Sequence, residues 1–202
     1  MSGVRPHLLF FSGNRHKLRE VGEILSPFCV VADFSAVGEL PFVHETGSTF
    51  AENADLKAIV GSGCYDGFVL ADDSGIEVDA LGGAPGVRSA RFAGEKASDE
   101  ENTALLLRKL KGVRGKARSG RFRCVLSLAK GGQVVGHYEG TVEGVIANEP
   151  KGGNGFGYDP VFIPDGYCQT FGELSSEIKN SMSHRGRALG KLRAWFQQRA
   201  IE

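Results

Sequence analysis

Phe68-Val69-Leu70-Ala71-Asp72-Asp73-Ser74-Gly75 is the stretch on which the fold reading turns. The four apolar residues have the length and branching of a buried strand, and Gly67 precedes them. Two carboxylates and a serine follow, then a glycine that lets a chain turn. The pattern predicts a strand ending at Ala71 and a loop from Asp72 to Gly75. In α/β proteins such loops lie where ligands bind. Carboxylates there can hold a hard cation such as magnesium, and one can serve as a general base. Ordinary turn chemistry accounts for the same letters, with Asp and Ser side chains bonding to nearby backbone.

Upstream, His7 to Phe11 reads as a first strand, broken by Ser12-Gly13-Asn14. Arg15 to Leu25 then has helical spacing, with Leu18, Val21, Ile24 and Leu25 on one face. Strand, SGNRHK loop and helix together suit a phosphate, through free backbone N–H groups and the positive end of the helix dipole. Ser12, Asn14 and Lys17 would add donors and a charge. A plain N-cap with solvated Arg15, His16 and Lys17 is the alternative, and the spacing is not that of a P-loop. Phe28 to Phe34 reads as a second strand. Thr49 and Glu52 form a capping box that opens a helix running to Ile59 or Val60. Glu45, just before it, is either a turn residue or a second carboxylate for a cation; His44 reads as a solvated or packing residue.

Downstream, Ile76 to Leu81 alternates as a half-exposed strand, and Gly82 to Gly86 makes a tight turn. Arg88 and Arg91 read as surface charges. Ser98 and Glu101 cap a helix that ends near Gly112. Phe122 to Leu128 and Val134 to Tyr138 form a hairpin through Lys130-Gly131-Gly132, and Thr141 to Ile146 prolongs its second arm. Antiparallel strands after βα units predict a mixed sheet. In the glycine-rich stretch from Gly152 to Pro160, Phe156 and Tyr158 either offer faces for stacking a purine or fold into the core. Val161 to Pro164 is a short strand, and Thr170 with Glu173 is expected to open a short helix. Ser183 caps the last helix, whose apolar face is Ala188, Leu189, Leu192, Trp195 and Phe196. Basic His184 and Arg185 at its start oppose the helix dipole, so a ligand or an acidic neighbour is expected beside them.

Composition narrows the classes. The 24 basic and 24 acidic residues cancel, which gives no global field toward nucleic acid or membrane. Cys29, Cys64, Cys124 and Cys168 lie far apart, without metal spacing, and each reads as a reduced core residue. That usage suits the cytoplasm. The apolar run in MSGVRPHLLFFSGN is too short for a signal peptide or a membrane span. No linker divides the chain, so residues 1–202 are expected to form one domain.

Together, SGNRHK, ETGSTFAENA, LADDSGIEVDALGGAPGVRSARFAG, FGYDP and SMSHRG resemble the inosine/xanthosine triphosphate pyrophosphatase family. The motifs occur in the family's order from about Phe11 to Leu189. The resemblance implies an α/β fold, an elongated mixed sheet with flanking helices forming two lobes around a central cleft, and a homodimer. It implies magnesium-dependent (Mg2+) hydrolysis of nonstandard purine nucleoside triphosphates such as ITP, dITP and XTP to monophosphate and pyrophosphate. Carried over by motif, Ser12, Gly13, Asn14, Arg15, His16 and Lys17 would hold the triphosphate. Glu45 and Asp73 would hold magnesium, and Asp73 would accept the proton of the attacking water. Ser74 would contact the nucleotide; Phe156, Gly157, Tyr158, Asp159, Lys179, His184 and Arg185 would bind the base and its neighbouring groups. Asp72 is a further metal ligand or only orients Asp73. A related pyrophosphatase acting on other nucleotides and a nucleotide-binding regulator without catalysis are the rival readings.

Overall fold

The structure is a computed structural model describing residues 6–199; the first residues of the N-terminal stretch and the chain's last three lie outside it. A six-stranded sheet has the order β2-β1-β3-β4-β5-β6. Its strands are β1 (His7–Phe11), β2 (Val30–Asp33), β3 (Phe68–Val78), β4 (Ser119–Lys130), β5 (Gln133–Ile146) and β6 (Phe162–Pro164). β1 runs parallel to both β2 and β3, and β5 runs antiparallel to β6. The expected mixed sheet with flanking helices is therefore present. The helices are α1 (Arg15–Leu25), α2 (Phe50–Gly63), α3 (Asp99–Lys109), α4 (Ser176–Met182) and α5 (His184–Arg199).

Capping sets the helix starts. Asn14 Oδ1 accepts the His16 and Lys17 backbone N–H groups at 2.9 and 3.1 Å, so Asn14 is the N-cap of α1 and those two donors are taken, although Lys17 is not solvated as a plain cap would have it. Both capping boxes form, Thr49 with Glu52 on α2 and Ser98 with Glu101 on α3.

The chain divides into two compact units that interleave in sequence. The first comprises residues 1–73, 124–140 and 185–202, and the second 74–123 and 141–184. In the first, Leu8, Phe10 and Leu70 pack with Val21 and Leu25 of α1 and with Ala188, Leu189 and Leu192 of α5. Leu9, Phe11, Val69 and Ala71, whose side chains point the other way, pack with Ala58 of α2. This is the period-2 alternation of strands covered on both faces. The core of the second unit joins Ile76, Val78, Leu106, Leu110, Phe162 and Phe171. There Arg118 is buried and donates to four carbonyls: Ile146 at 2.7 Å, Ala147 at 2.6 Å, Leu110 at 3.1 Å and Val113 at 3.3 Å.

Several expectations are corrected. The loop from Asp72 to Gly75 does not exist, because β3 continues unbroken to Val78. Gly75 is glycine for space rather than for turning. Its φ is not positive, and a Cβ there would lie 2.3 Å from Ser89 Oγ and 2.5 Å from the Gly86 carbonyl oxygen. The turn comes later, where Gly82 and Gly83 adopt φ of 63° and 88°. β2 is shorter than expected, since Phe34 begins a 3-10 turn capped by Asp33. No helix opens at Thr170: Glu173 accepts its N–H at 2.9 Å in a turn, and α4 starts from Ser175. Cys29 and Cys124 are buried, but Cys64 and Cys168 are exposed rather than core residues.

Candidate active site

The first unit holds the acids and most of the cations. Asp72 and Asp73 follow Ala71 in β3, and both are buried. Consecutive strand residues project to opposite faces, so the two carboxylates have separate surroundings. Asp72 receives the ammonium of Lys17, the Arg185 Nε–H at 3.1 Å and the Cys124 thiol at 3.1 Å. Burial works against its charge, but Arg185 and Lys17 outweigh this and hold its carboxyl well below the usual range. Cys124 is pushed up, first by burial and then by the Asp72 charge. With Oδ2 meeting Arg185 and Cys124 and Oδ1 meeting Lys17, Asp72 is a fixed anchor.

Asp73 projects toward α2. Its Oδ2 accepts from Asn53 Nδ2 at 3.2 Å, and its Oδ1 lies 3.5 Å from Lys57 Nζ. The same ammonium donates to Glu45 Oε1 at 2.7 Å and to the Asp72 carbonyl at 2.8 Å. Lys57 therefore joins Glu45 to Asp73. Burial disfavours its charge, yet Asp73 and Glu45 together raise its pKa. Asp73 itself is pushed up, chiefly by burial and also by the nearby Glu45 and Asp72 charges, against the pull of Lys57 and Lys17. A buried carboxyl with a raised pKa beside a second carboxylate is suited to proton transfer and to binding a cation.

Of the SGNRHK segment, Lys17 is the side chain turned inward. Gly13, Arg15 and His16 are exposed, and Ser12 Oγ accepts the Asn14 N–H at 3.1 Å. Arg185, expected to address the base, belongs to the first unit. It is 1% exposed and lies between Asp72 and Glu20 Oε2, the latter 2.5 Å from its Nη1. The acidic neighbour expected at the start of α5 is thus Glu20 together with Asp72.

The second unit holds the remaining candidates. Lys179 Nζ donates to Asp159 Oδ2 at 2.6 Å and lies 5.0 Å from the Phe156 ring centroid. The same Asp159 oxygen accepts the Phe156 N–H at 2.8 Å, and Asp99 accepts the Gly157 N–H at 2.6 Å. These bonds fix the FGYD backbone. The two aromatics part company: Tyr158 is buried with its hydroxyl on the Ser89 carbonyl at 2.8 Å, while Phe156 is half-buried. Tyr158 therefore follows the core reading. His184 is buried and stacks on Phe122, with centroids 4.7 Å apart and planes 10° apart. Ser74, in β3, is half-buried.

Four side chains escaped the sequence reading: Asn53, Lys57, Glu20 and Cys124. Asn53 and Lys57 carried a signal, being one helical turn apart and next to Ala54 and Ala58 on the stripe of α2 that faces the sheet. Glu20, beside Val21 on α1, carried a weaker one, and nothing local distinguished Cys124.

The model of the Ham1 family matches residues 8–195 of this chain. The chain belongs to the Ham1 family. Among Ham1 relatives, a dITP/XTP pyrophosphatase of Desulforamulus reducens is 49% identical over 189 residues, covering 91% of this chain and 92% of that one. A dITP/XTP pyrophosphatase of Bacillus subtilis is 46% identical, with 94% and 96% covered. The solved Ham1 protein of Staphylococcus aureus superposes with a TM-score of 0.85 at 40% identity, covering 96% of this chain and 99% of that one. A nucleoside-triphosphatase / dITP/XTP pyrophosphatase from Mycobacterium abscessus gives 0.73 at 42% identity, with 92% and 98% covered. The solved Ham1 proteins share this fold.

Proposed function

We propose that the protein is a nucleoside triphosphate pyrophosphatase, a hydrolase that cleaves ITP, dITP and XTP to the monophosphate and pyrophosphate and so clears them from the nucleotide pool. The observation that carries the reading is the Asp73–Lys57–Glu45 cluster, two carboxylates bound to one half-buried ammonium. Relatives that are dITP/XTP pyrophosphatases over nearly the whole chain support it.

Asp73 accepts the proton of the attacking water, for which its raised pKa suits it. Asn53 holds the other carboxylate oxygen and fixes the direction of the acid. Lys17 meets the triphosphate as a point charge, at the end of α1 that favours anions. Phe156, on a loop held by Asp159, and Lys179 of α4 receive the base. His184, stacked on Phe122, meets the groups beside the base, and Ser74 contacts the nucleotide. Asp72 acts from within by holding Lys17, and Arg185 by holding Asp72.

Magnesium fits these residues. Among the described residues no group of three His, Cys, Asp or Glu could hold a metal. Magnesium needs no such cage, since it is commonly bound by one or two carboxylates together with substrate phosphates. Glu45 and Asp73 supply two hard oxygen donors, and the like-charge pressure on Asp73 is what a bound cation relieves. When bound, the ion would neutralise charge developing on the phosphate oxygens.

Among the described residues no helix is long and apolar enough to cross a membrane. We take the protein to work in the cytoplasm as a homodimer, each chain a single pyrophosphatase domain, without nucleic-acid or membrane partners. The test is incubation with magnesium and ITP, dITP, XTP, ATP or GTP, followed by identification of the released phosphate. Pyrophosphate from the first three, and loss of it in Asp73→Asn, is the expected result. Orthophosphate release, or binding without turnover, would overturn the reading.

A further inference from the structure

Lys57 reaches from α2 into a set of three oxygens. Its Nζ lies 2.7 Å from Glu45 Oε1, 2.8 Å from the Asp72 carbonyl oxygen and 3.5 Å from Asp73 Oδ1. A lysine ammonium carries three N–H donors and no acceptor, one donor for each of these oxygens. The group is most open at Glu45, whose side chain is 28% exposed against 12% for Lys57 and 9% for Asp73. Two carboxylates and a carbonyl are also the hard oxygen donors that a divalent ion such as magnesium takes. All four residues belong to the first unit.

We propose that Lys57 is a built-in competitor of the divalent ion: its ammonium holds the oxygens of Glu45 and Asp73 that the ion would take, and so keeps the affinity of the nucleotide-free protein for the ion low. Two causes act together. The ammonium offsets part of the negative charge that draws a cation to the two acids, and at this range it repels an entering one. An ion opposed in this way needs further oxygens, such as those of phosphates, to bind well. Without Lys57 the Asp73 carboxylate still receives Asn53 Nδ2 at 3.2 Å, so the acid keeps a partner that fixes its direction. The argument takes Glu45 and Asp73 as the metal-holding pair, as in the function proposed above.

The test is binding of Mn2+ to the full chain without nucleotide, read from the electron paramagnetic resonance signal of the free ion. Mn2+ shares the preference of magnesium for oxygen ligands. A buffer at about pH 8.5 keeps proton competition for the two acids low. We expect Lys57→Met to bind Mn2+ about tenfold more tightly than the parent, and magnesium to displace it. Lys57→Gln, also uncharged, should show the same gain, and it carries the test if Lys57→Met does not fold. Lys57→Arg keeps the charge and should bind within about twofold of the parent. Uncharged variants that bind no more tightly than the parent overturn the proposal, as does an equal gain in Lys57→Arg. In the Lys57→Met background the gain should disappear on adding Asp73→Asn or Glu45→Gln. A gain that survives both substitutions shows the ion held elsewhere; the metal pair proposed above then fails first, and the proposal with it.

Discussion

Asp72 and Asp73 are neighbours in β3, yet their carboxyls are driven in opposite directions, Asp72 down by Arg185 and Lys17 against its burial and Asp73 up by burial. Strand geometry is the reason, since it sends one to each face of the sheet. The consequences for stability differ in sign. Asp72 has a lowered pKa in the fold, so it contributes stability above its unfolded value of about 3.9, lost as pH falls through the folded value. Asp73 has a raised pKa, so its contribution is greatest below the unfolded value and is lost as pH rises through the folded one. At neutral pH, Asp72→Asn should therefore destabilise by about 3–5 kcal/mol, leaving the buried Arg185 and the half-buried Lys17 without their acid. Asp73→Asn should raise the unfolding midpoint in metal-free buffer. Thermal unfolding of the two variants at pH 7 checks both signs; midpoints moving in the same direction would refute the assignment.

Asp73→Asn should lower pyrophosphate release by roughly 10²–10⁴-fold, the usual contribution of a general base. With magnesium held limiting, the acid limb of the parent's rate profile should lie at higher pH than an ordinary aspartate would give, because the metal-free carboxyl's pKa is raised. Turnover should fall as pH drops through that limb. The profile of kcat/KM against pH, recorded with dITP, reads this directly.

Lys57→Met removes the ammonium that joins Glu45 to Asp73. Asp73 then loses its principal attractive neighbour, so its pKa should rise further and the acid limb should move to higher pH. A pH profile of the variant that coincides with the parent's would show that Lys57 does not act on Asp73.

Gly75→Ala places a methyl within 2.3 Å of Ser89 Oγ and 2.5 Å of the Gly86 carbonyl oxygen. Backbone cannot yield as a side-chain tip can, so destabilisation of about 1–3 kcal/mol is expected. Urea denaturation should show a lower midpoint with an unchanged slope. Unchanged stability would mean that Gly86 and Ser89 shift freely.

Arg118→Met leaves the Leu110, Val113, Ile146 and Ala147 carbonyls without this donor. About 3–5 kcal/mol of lost stability is expected from the unsatisfied acceptors, measured by the same denaturation.

The sequence by itself determined the local elements and the order of the motifs. Asn14, Thr49 and Ser98 start helices because each is a short oxygen-bearing side chain next to the donors it caps. The hairpin at Gly131-Gly132 and the apolar faces of α1 and α5 were legible because a helix or strand repeats its pattern within a few residues. Only the tertiary structure decided how Asp72 and Asp73 differ, since their letters are identical and their partners come from elsewhere in the chain. Lys17 and Arg185 are 55 and 113 residues from Asp72, and Lys57 is 16 from Asp73. It decided as well that Arg185 is an internal partner and that Gly75 makes room instead of a turn. Charge pairing and close packing depend on which elements are brought together, and no local pattern records that.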